Sequence, residues 1–318
     1  MKKLKILLFF LCSLCMITNV QAKELKFVQI TDTNFTLDID DKASEERAKE
    51  LRKVIKEINK DRNIDFVIFT GNAVRYPARK ELAAFFKLAN KLNKPYYTVI
   101  GNKEVLRHKN FTKKNYMHTA WLHNRNMLFK HENYVFKPNK EVVFIVVDGV
   151  NEMMPVPSGY YRKETLKWLD KELQKYENKK VVIAQHFPVF SPSDKPSYDS
   201  VDADKYIQTL NSYDNVIAVV SGHFNTDRIM YRKGVYHISS PSFRAPYYKY
   251  KVIDIKYDPK YLFSSPAEFS LTQKTFNLYE PKDGIPDEES ADLSNDSQKE
   301  ENKDVNNGPE QKYVQEEK

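Results

Sequence analysis

The strongest constraint on the fold of this chain is a repeated order of short apolar runs and amphipathic helical segments. An apolar run at 25–31 ends at Asp32, and a second run at 65–69 is followed by Asn72. Between them, residues 44–60 place apolar side chains at the spacing of one helix face, namely Leu51, Val54, Ile55 and Ile58. Strands that alternate with helices of this length predict right-handed crossovers and a largely parallel sheet.

The same order continues through most of the chain and predicts two sheets covered by helices. Further strands are predicted at 96–100, 142–147, 181–184, 216–220, 228–231, 235–239, 251–255 and 274–279. Further helices are predicted near 82–89, 164–176 and 203–210. The segment at about 105–140 lacks clear periodicity, and we interpret it as an insertion or capping segment. The pattern as a whole predicts an α/β fold with its ligand-binding loops along one edge.

The first 22 residues have the pattern of a secretory signal peptide. Three lysines precede the apolar run 6–17, and Ala22 is the small residue that signal peptidase requires, so cleavage is predicted after Ala22. The run is shorter than the roughly 20 residues that span a bilayer, which disfavours a retained transmembrane anchor. We therefore expect an exported protein, periplasmic or secreted. Cys12 and Cys15 both lie in this segment, so the mature domain has no thiol for disulfides or thiolate chemistry.

The C-terminal segment 281–318 differs in composition from the rest of the chain. It is rich in Asp, Glu, Asn, Ser, Lys and Gln and has few apolar residues, a composition that cannot offset the entropy lost on ordering. We predict a disordered acidic tail that follows a folded domain at 23–280.

The predicted folded domain is strongly basic. The tail contributes a charge of −7 and the signal +3 to a total of +8, which leaves about +12 for residues 23–280. This excess either attracts phosphate-bearing surfaces or forms a solvated lysine-rich face balanced by the tail, and the second interpretation is the simpler one. No long stretch interleaves basic and aromatic residues in a nucleic-acid motif, so nucleic acid is not an expected partner.

Polar side chains that can bind metals or phosphate follow five of the predicted strands. The set comprises Asp32 with Asn34, Asn72, Asn102 with Lys103 and Glu104, His186, and His223 with Asn225. Carboxylate, amide and imidazole groups that converge at strand ends are the usual components of a site for a hard or borderline metal ion. Taken singly, the Asp and Asn residues also fit helix caps and turns, and each His fits a buried, hydrogen-bonded imidazole.

In their order and spacing these residues resemble the calcineurin-like metallophosphoesterases, whose strand ends carry the motifs D-x-H, G-D, G-N-H-D/E, H and G-H-x-H. The resemblance covers about 25–255. It implies two central mixed β-sheets flanked by helices, an αββα sandwich, and metal-dependent hydrolysis of phosphoesters. The corresponding residues are Asp32-Thr33-Asn34, Gly71-Asn72, Gly101-Asn102-Lys103-Glu104, His186 and Gly222-His223-Phe224-Asn225.

The resemblance also implies which metal-ligand positions are kept and which are altered. Four match the family pattern: Asp32, Asn102, His186 and His223. Three ligand positions are altered, at Asn34, Asn72 and Asn225, and Lys103 replaces the catalytic His. Three of the four ligands at the first metal are therefore changed, whereas the second metal keeps three of its four.

These changes predict that a bridged two-metal centre does not form. Asn72 replaces the bridging carboxylate with a neutral amide that cannot offset two cations, and the Lys103 ammonium repels any metal nearby. One divalent ion, Mn, Fe or Zn, bound by Asn102, His186, His223 and Asn72, stays open as an alternative to a site without metal.

The sequence therefore supports more than one hypothesis about function. The first is a catalytically impaired phosphoesterase domain, a pseudoenzyme, that binds a phosphate-bearing small molecule or a protein partner through Lys103, His186 and His223. The second is a metal-dependent phosphomonoesterase or phosphodiesterase that uses a single or altered metal centre. A third assigns protein interaction to the tail and to the segment at 105–140.

Overall fold

The computed structural model describes residues 23–38, 42–106, 110–127, 131–153, 158–191, 200–201, 203–244, 246–257 and 269–278. The predicted signal peptide and the predicted acidic tail lie outside the described residues. Within the described ranges, no helix is both long enough and apolar enough to cross a membrane.

Eleven strands and five helices are described, and all except α3 and β4 overlap an element that the sequence predicts. In chain order they are β1 (Lys23–Ile30), α1 (Lys42–Lys60), β2 (Phe66–Phe69), α2 (Arg79–Ala89), β3 (Tyr96–Thr98), α3 (Lys113–His123), β4 (Tyr134–Phe136), β5 (Val142–Val146), α4 (Lys163–Lys175), β6 (Lys180–Ala184), α5 (Ala203–Asn211), β7 (Val216–Ser221), β8 (Arg228–Arg232), β9 (Val235–Ser239), β10 (Tyr250–Tyr257) and β11 (Phe269–Phe276).

The strands form two mixed sheets. The first has the order β11-β10-β1-β2-β3, in which β1, β2 and β3 are parallel. The second has the order β4-β5-β6-β7-β9-β8, in which β5, β6, β7 and β9 are parallel. Antiparallel strands lie at the edges of both sheets. This arrangement confirms the predicted fold class.

The two sheets pack face to face through aromatic side chains. The ring of Phe144 on β5 lies 5.2 Å from that of Phe27 on β1 and 5.1 Å from that of Phe66 on β2. Every residue of strand β5 is buried. Successive side chains of a strand point to opposite sides, so both faces of β5 are covered. Val142, Phe144 and Val146 join the core between the sheets, whereas Val143 and Ile145 join a second core with Leu169 of α4 and Tyr206 of α5.

The segment at about 105–140 contributes to the body of the fold. It contains α3, which packs against α2, and β4, which pairs antiparallel with β5 at the edge of the second sheet. The segment lacks clear periodicity in the sequence because the buried side of α3 includes polar residues, among them Lys113 and Thr119, and because β4 has only three residues.

Candidate functional site

The residues that follow the parallel strands meet at one edge of the two sheets. Asp32, Asn72, Asn102 and His186, which come from loops after four different strands, are joined by side-chain hydrogen bonds. His223 joins them through its backbone N–H, which donates to Asp32 Oδ2 at 3.0 Å. Asn225 lies two residues further along the same loop and is exposed. The structure thus brings five of the predicted residues together: Asp32, Asn72, Asn102, His186 and His223.

Five of these positions have a left-handed backbone. Their φ angles are positive: Asp32 at 54°, Asn34 at 44°, Asn72 at 51°, His223 at 71° and Asn225 at 56°. Asp and Asn adopt this conformation more readily than most residues, because their short polar side chains form local hydrogen bonds. Asn34 does so here, since its Nδ2 donates to the carbonyl of Asp32 at 2.8 Å. The sharp turns point side chains from neighbouring loops toward one another.

Two glycines allow the loops to approach closely. Gly71 has φ +94°, and a Cβ at this position would lie 2.4 Å from His186 Nδ1. A Cβ on Gly222 would lie 2.0 Å from Thr31 Oγ1. Both distances are too short for any side chain, so the contact between the two sheets at the site depends on glycine.

Asn72 donates hydrogen bonds at the centre of the site. Its Oδ1 accepts from the backbone N–H of Lys103 at 3.0 Å, and a backbone N–H can only donate. The Nδ2 must therefore face the other way, and it donates to Asp32 Oδ1 at 2.9 Å and to Asn102 Oδ1 at 3.2 Å. A carboxylate at this position would accept from both directions, whereas the amide presents hydrogens to Asp32 and Asn102.

The carboxylate of Asp32 is buried and has several donors. Its Oδ1 accepts from Asn72, and its Oδ2 accepts from the Thr31 hydroxyl at 2.7 Å and from the His223 backbone N–H at 3.0 Å. Asp32 is 3 % exposed. Its negative charge is therefore held by protein groups on both oxygens.

Lys103 places a cation beside Asn34. Its Nζ donates to Asn34 Oδ1 at 2.8 Å, and the guanidinium of Arg47 on α1 donates to the backbone carbonyl of the same residue at 3.3 Å. Burial lowers the pKa of Lys103, the charge of Asp32 opposes that shift, and the positive charges of Arg75 and Arg47 add to it. The loops after β1, β2 and β3 thus form a basic side of the site.

His186 is fully buried and has a defined tautomer. Its Nδ1 lies 2.8 Å from the carbonyl oxygen of Thr70, so Nδ1 carries the hydrogen, and Nε2 faces Asn102 Oδ1 at 3.2 Å. Burial lowers the pKa of His186, against the charge of Asp32 and the Thr70 hydrogen bond. In the neutral imidazole, two acceptors therefore face each other, an arrangement that a cation or a hydrogen-bond donor would satisfy.

Glu104 organises the backbone beneath the site. The side chain is fully buried and accepts hydrogen bonds from the backbone N–H groups of Gly101 at 2.5 Å, Ala73 at 2.6 Å and Asn72 at 3.2 Å. Burial raises the pKa of Glu104 to about 8, and these backbone donors oppose the shift. The carboxyl group thereby ties the loop after β2 to the loop after β3.

Comparison with known proteins decides the family. The family model described as calcineurin-like phosphoesterase matches residues 25–226. The chain belongs to this family. The resemblance found in the sequence is thus confirmed, and the family depends on divalent metal ions.

Two curated relatives and one solved structure illustrate the similarity of this calcineurin-like phosphoesterase to other members. It is 26 % identical over 166 residues to a probable glycerophosphodiester phosphodiesterase of Arcobacter nitrofigilis, covering 50 % of this chain and 56 % of that relative. It is 23 % identical over 241 residues to a probable cyclic nucleotide phosphodiesterase of Colwellia psychrerythraea, covering 74 % and 83 %. A dimetal phosphatase from Danio rerio has the same fold, with a TM-score of 0.59, 16 % identity and coverage of 78 % and 98 %.

The first metal position that the sequence motifs imply does not fit the residues of this chain. Asn72 directs N–H groups at Asp32 and Asn102, and the Lys103 ammonium binds Asn34, which stands at another altered ligand position. In the described part of the chain, no three His, Cys, Asp or Glu side chains are grouped to hold one metal ion. A cationic side chain and amide hydrogens thus lie at positions that the sequence motifs predict for anionic and imidazole ligands.

The second metal position fits in part. Asn102 Oδ1 and His186 Nε2 present acceptors to each other, and the His223 ring centroid lies 5.0 Å from that of His186. These three residues would hold a single divalent ion, which would act as a Lewis acid on a phosphoryl oxygen. The two metal positions therefore differ. The residues at the first present a positive charge and amide hydrogens, whereas those at the second present hydrogen-bond acceptors.

The sequence did not identify every residue at this edge of the sheets. Asp148 follows β5 as the other polar residues follow their strands, and it is buried against the ammonium of Lys113 from α3. The strand-end position was the signal for Asp148. Arg47 and Arg75 gave no such signal, because one lies within a helix and the other in a loop after Asn72.

Proposed function

We propose that this protein is an exported, catalytically impaired calcineurin-like phosphoesterase that binds a phosphate-bearing ligand. The observation that carries this proposal is the position of Lys103, whose Nζ donates to Asn34 Oδ1 at 2.8 Å beside the altered first metal position. A lysine ammonium supplies positive charge to an oxyanion without a metal ion.

Electrostatics favours a phosphate over a metal at this position. At an effective dielectric constant near 20, two unit charges about 4 Å apart interact by about 4 kcal/mol, and a divalent ion roughly doubles this. For a metal beside Lys103 this energy is repulsive, and for a phosphate it is attractive. Arg47 and Arg75 add to the positive potential there, since both disfavour the charged form of Lys103.

The hydrogen-bonding pattern supports the same proposal. Asp32 would repel a phosphate, but both of its oxygens accept hydrogen bonds from Asn72, Thr31 and His223. Neutral donors thus occupy both oxygens of this carboxylate, and the Lys103 ammonium donates to Asn34 Oδ1. A phosphorylated small molecule fits such a site, and a phosphorylated group on a protein partner has the same chemistry.

Titration of the chelator-treated protein with inorganic phosphate tests the proposal. We expect binding that weakens at least tenfold in Lys103→Met, because removal of one charged hydrogen-bond donor costs about 1.5–3 kcal/mol. Lys87→Met is the matched control, since Lys87 is an exposed lysine in the last turn of α2. No phosphate binding by the parent protein, or equal losses in both variants, would contradict the proposal.

The arrangement of His186 and Asn102 favours a second candidate, a phosphomonoesterase or phosphodiesterase with one metal ion. Asn102 Oδ1 and His186 Nε2 are acceptors that face each other at 3.2 Å, and both atoms can bind one metal ion. His223 would be the third ligand of that ion. This candidate requires metal-dependent turnover that is abolished by His186→Ala and retained by His118→Ala, in which the replaced histidine is exposed. Turnover that is equal in the two variants would exclude it.

Export is proposed from the sequence pattern of the first 22 residues alone. The expected mature N-terminus is Lys23, because Ala22 precedes it at the predicted cleavage site. N-terminal sequencing of the protein recovered outside the cytoplasm, or from the medium, tests this expectation. A chain that is recovered from the cytoplasm with its N-terminal segment intact would contradict it.

A further inference from the structure

The site has two sides of different chemistry. The loops after β1, β2 and β3 supply cations and amides, among them Lys103 and Asn34. The loops after β6 and β7 supply aromatic rings, those of His186, Phe187, His223 and Phe224. A ligand that fills the whole site therefore meets a basic surface at one end and an aromatic surface at the other.

The aromatic side is built around Phe187. Its ring centroid lies 4.9 Å from that of His186 and 4.8 Å from that of His223. Phe187 is buried, whereas His223 and Phe224 are half-buried, and their ring centroids lie 5.5 Å apart. Phe187 thus forms the floor of this side, and Phe224 retains surface that a ligand can contact.

Apolar surface continues outward from Phe187. Gly159 packs directly on it, since a Cβ on this glycine would lie 2.6 Å from the Phe187 Cβ. The next residue, Tyr160, is paired with Val201, whose backbone N–H donates to the Gly159 carbonyl at 2.7 Å. Tyr160 is 37 % exposed and Val201 is 50 % exposed. These two exposed apolar side chains, here called the rim, therefore lie beside the segment that packs on Phe187.

We propose that the ligand is a phosphate monoester whose alcohol part is aromatic or apolar. Its phosphate lies against Lys103, and its organic group lies against Phe224 and the rim formed by Tyr160 and Val201. Aromatic and aliphatic side chains of this kind favour an apolar group by removing its surface from water. This inference rests on the proposed phosphate site and names the chemical class of its ligand.

Methyl phosphate and phenyl phosphate are the matched probes, because both are monoesters of the same charge and differ only in the organic group. Calorimetric titration of the full chain, freed of metal by chelation, measures both affinities. We expect phenyl phosphate to bind about tenfold more tightly, as burial of part of one aromatic ring predicts. In Phe224→Ala the preference disappears while methyl phosphate binds as before, and Phe224→Leu retains part of it.

Tyr76→Ala is the control for the aromatic side. Tyr76 is also an exposed aromatic residue, 41 % accessible, but it lies after β2 with the Arg75 guanidinium 5.5 Å from its ring centroid. The inference requires that this variant keep the preference for phenyl phosphate. Loss of the preference in Tyr76→Ala instead of Phe224→Ala would overturn it, because the organic group would then lie on the basic side.

The remaining outcomes separate the inference from the proposal on which it rests. Equal affinities for the two probes in the parent protein would overturn the inference and leave the phosphate site standing. No binding of either probe would overturn both. A thermal melt of each variant shows whether it is folded, and Phe224→Leu supplies the test if Phe224→Ala does not fold.

Discussion

At the scale of single residues, the direction of hydrogen bonds distinguishes this site from a metal centre. A carboxylate accepts from every side, but the Asn72 amide accepts from Lys103 and donates to Asp32 and Asn102. The donors hold Asp32 in place by hydrogen bonding, as a metal would hold it by charge. The site thereby keeps a defined geometry although asparagine stands at three of the predicted ligand positions.

His237 on β9 gives a prediction about pH. Its imidazole packs edge-on against Phe190, with ring centroids 4.6 Å apart, and burial lowers its pKa to about 3. The unfolded chain takes up a proton near pH 6.5 that the folded chain does not, so the free energy of unfolding decreases as the pH falls from about 6.5 toward 3. In His237→Phe the decrease between pH 6 and 4 should be smaller by about 2 kcal/mol.

Urea unfolding at several pH values measures this difference. His118→Asn is the control histidine variant, because His118 is exposed on α3. An identical acid-induced loss of stability in His237→Phe and in the parent protein would show that His237 is not responsible for it.

Site residues were predicted best where a polar residue directly follows a predicted strand. Asp32, Asn72, Asn102 and His186 each follow a strand, and the structure joins them by hydrogen bonds. The direction of the Asn72 amide was not predictable, because it depends on the backbone N–H of Lys103 from another loop. The sequence names the groups at the site, whereas only the fold shows which of them donate.

At the scale of elements, the loops after the strands depend on close contact between the two sheets. Gly71 after β2 touches His186 after β6, so one glycine connects the two halves of the site. Glu104 makes a similar connection between the loops after β2 and β3 through backbone N–H groups. These contacts determine where the side chains of the site meet.

Gly71→Ala should therefore destabilise the protein more than an alanine at another left-handed glycine. Its Cβ would lie 2.4 Å from His186 Nδ1, so we expect a loss of about 2–4 kcal/mol in the free energy of unfolding. Gly234→Ala is the matched control, because Gly234 also has a positive φ, 82°, in the tight turn between β8 and β9. This control should lose only about 1 kcal/mol. Equal losses in chemical denaturation would contradict the importance of the contact with His186.

Elements with strong periodicity were predicted well and weakly patterned ones were not. Strand β5 and helix α1 have continuous or regularly spaced apolar residues, and their bounds agree with the predictions within a few residues. Helix α3 was missed because its buried side includes Lys113, which pairs with Asp148 after β5. From the sequence alone, a lysine is predicted to lie at the surface. The carboxylate that lets Lys113 be buried is far along the chain and close only in the fold.

At the scale of the whole molecule, charge is divided unevenly along the chain. Residues 23–280 carry about +12, and the acidic segment 281–318 carries −7. Because the tail composition predicts no packed core, we expect truncation after Glu280 to change the free energy of unfolding by less than about 0.5 kcal/mol. The truncated protein should also bind more strongly to a cation exchanger. A large loss of stability on truncation would show that the tail packs on the domain.

The fold and the chemistry of the site lead to different expectations for the whole protein. The fold is that of a metal-dependent phosphoesterase, but Lys103 and Asn72 oppose a two-metal centre through charge and through hydrogen-bonding direction. We therefore propose that the family site has changed from hydrolysis of phosphoesters to binding of them.

Metal content and turnover, measured on one sample, test this claim most directly. The protein is incubated with manganese, iron and zinc, freed of unbound metal, and assayed for bound metal and for hydrolysis of phosphomonoester and phosphodiester substrates. We expect fewer than two bound metal ions per chain and no metal-dependent turnover. Two bound ions per chain with metal-dependent turnover would contradict it, because the asparagines and Lys103 would then support a working two-metal centre.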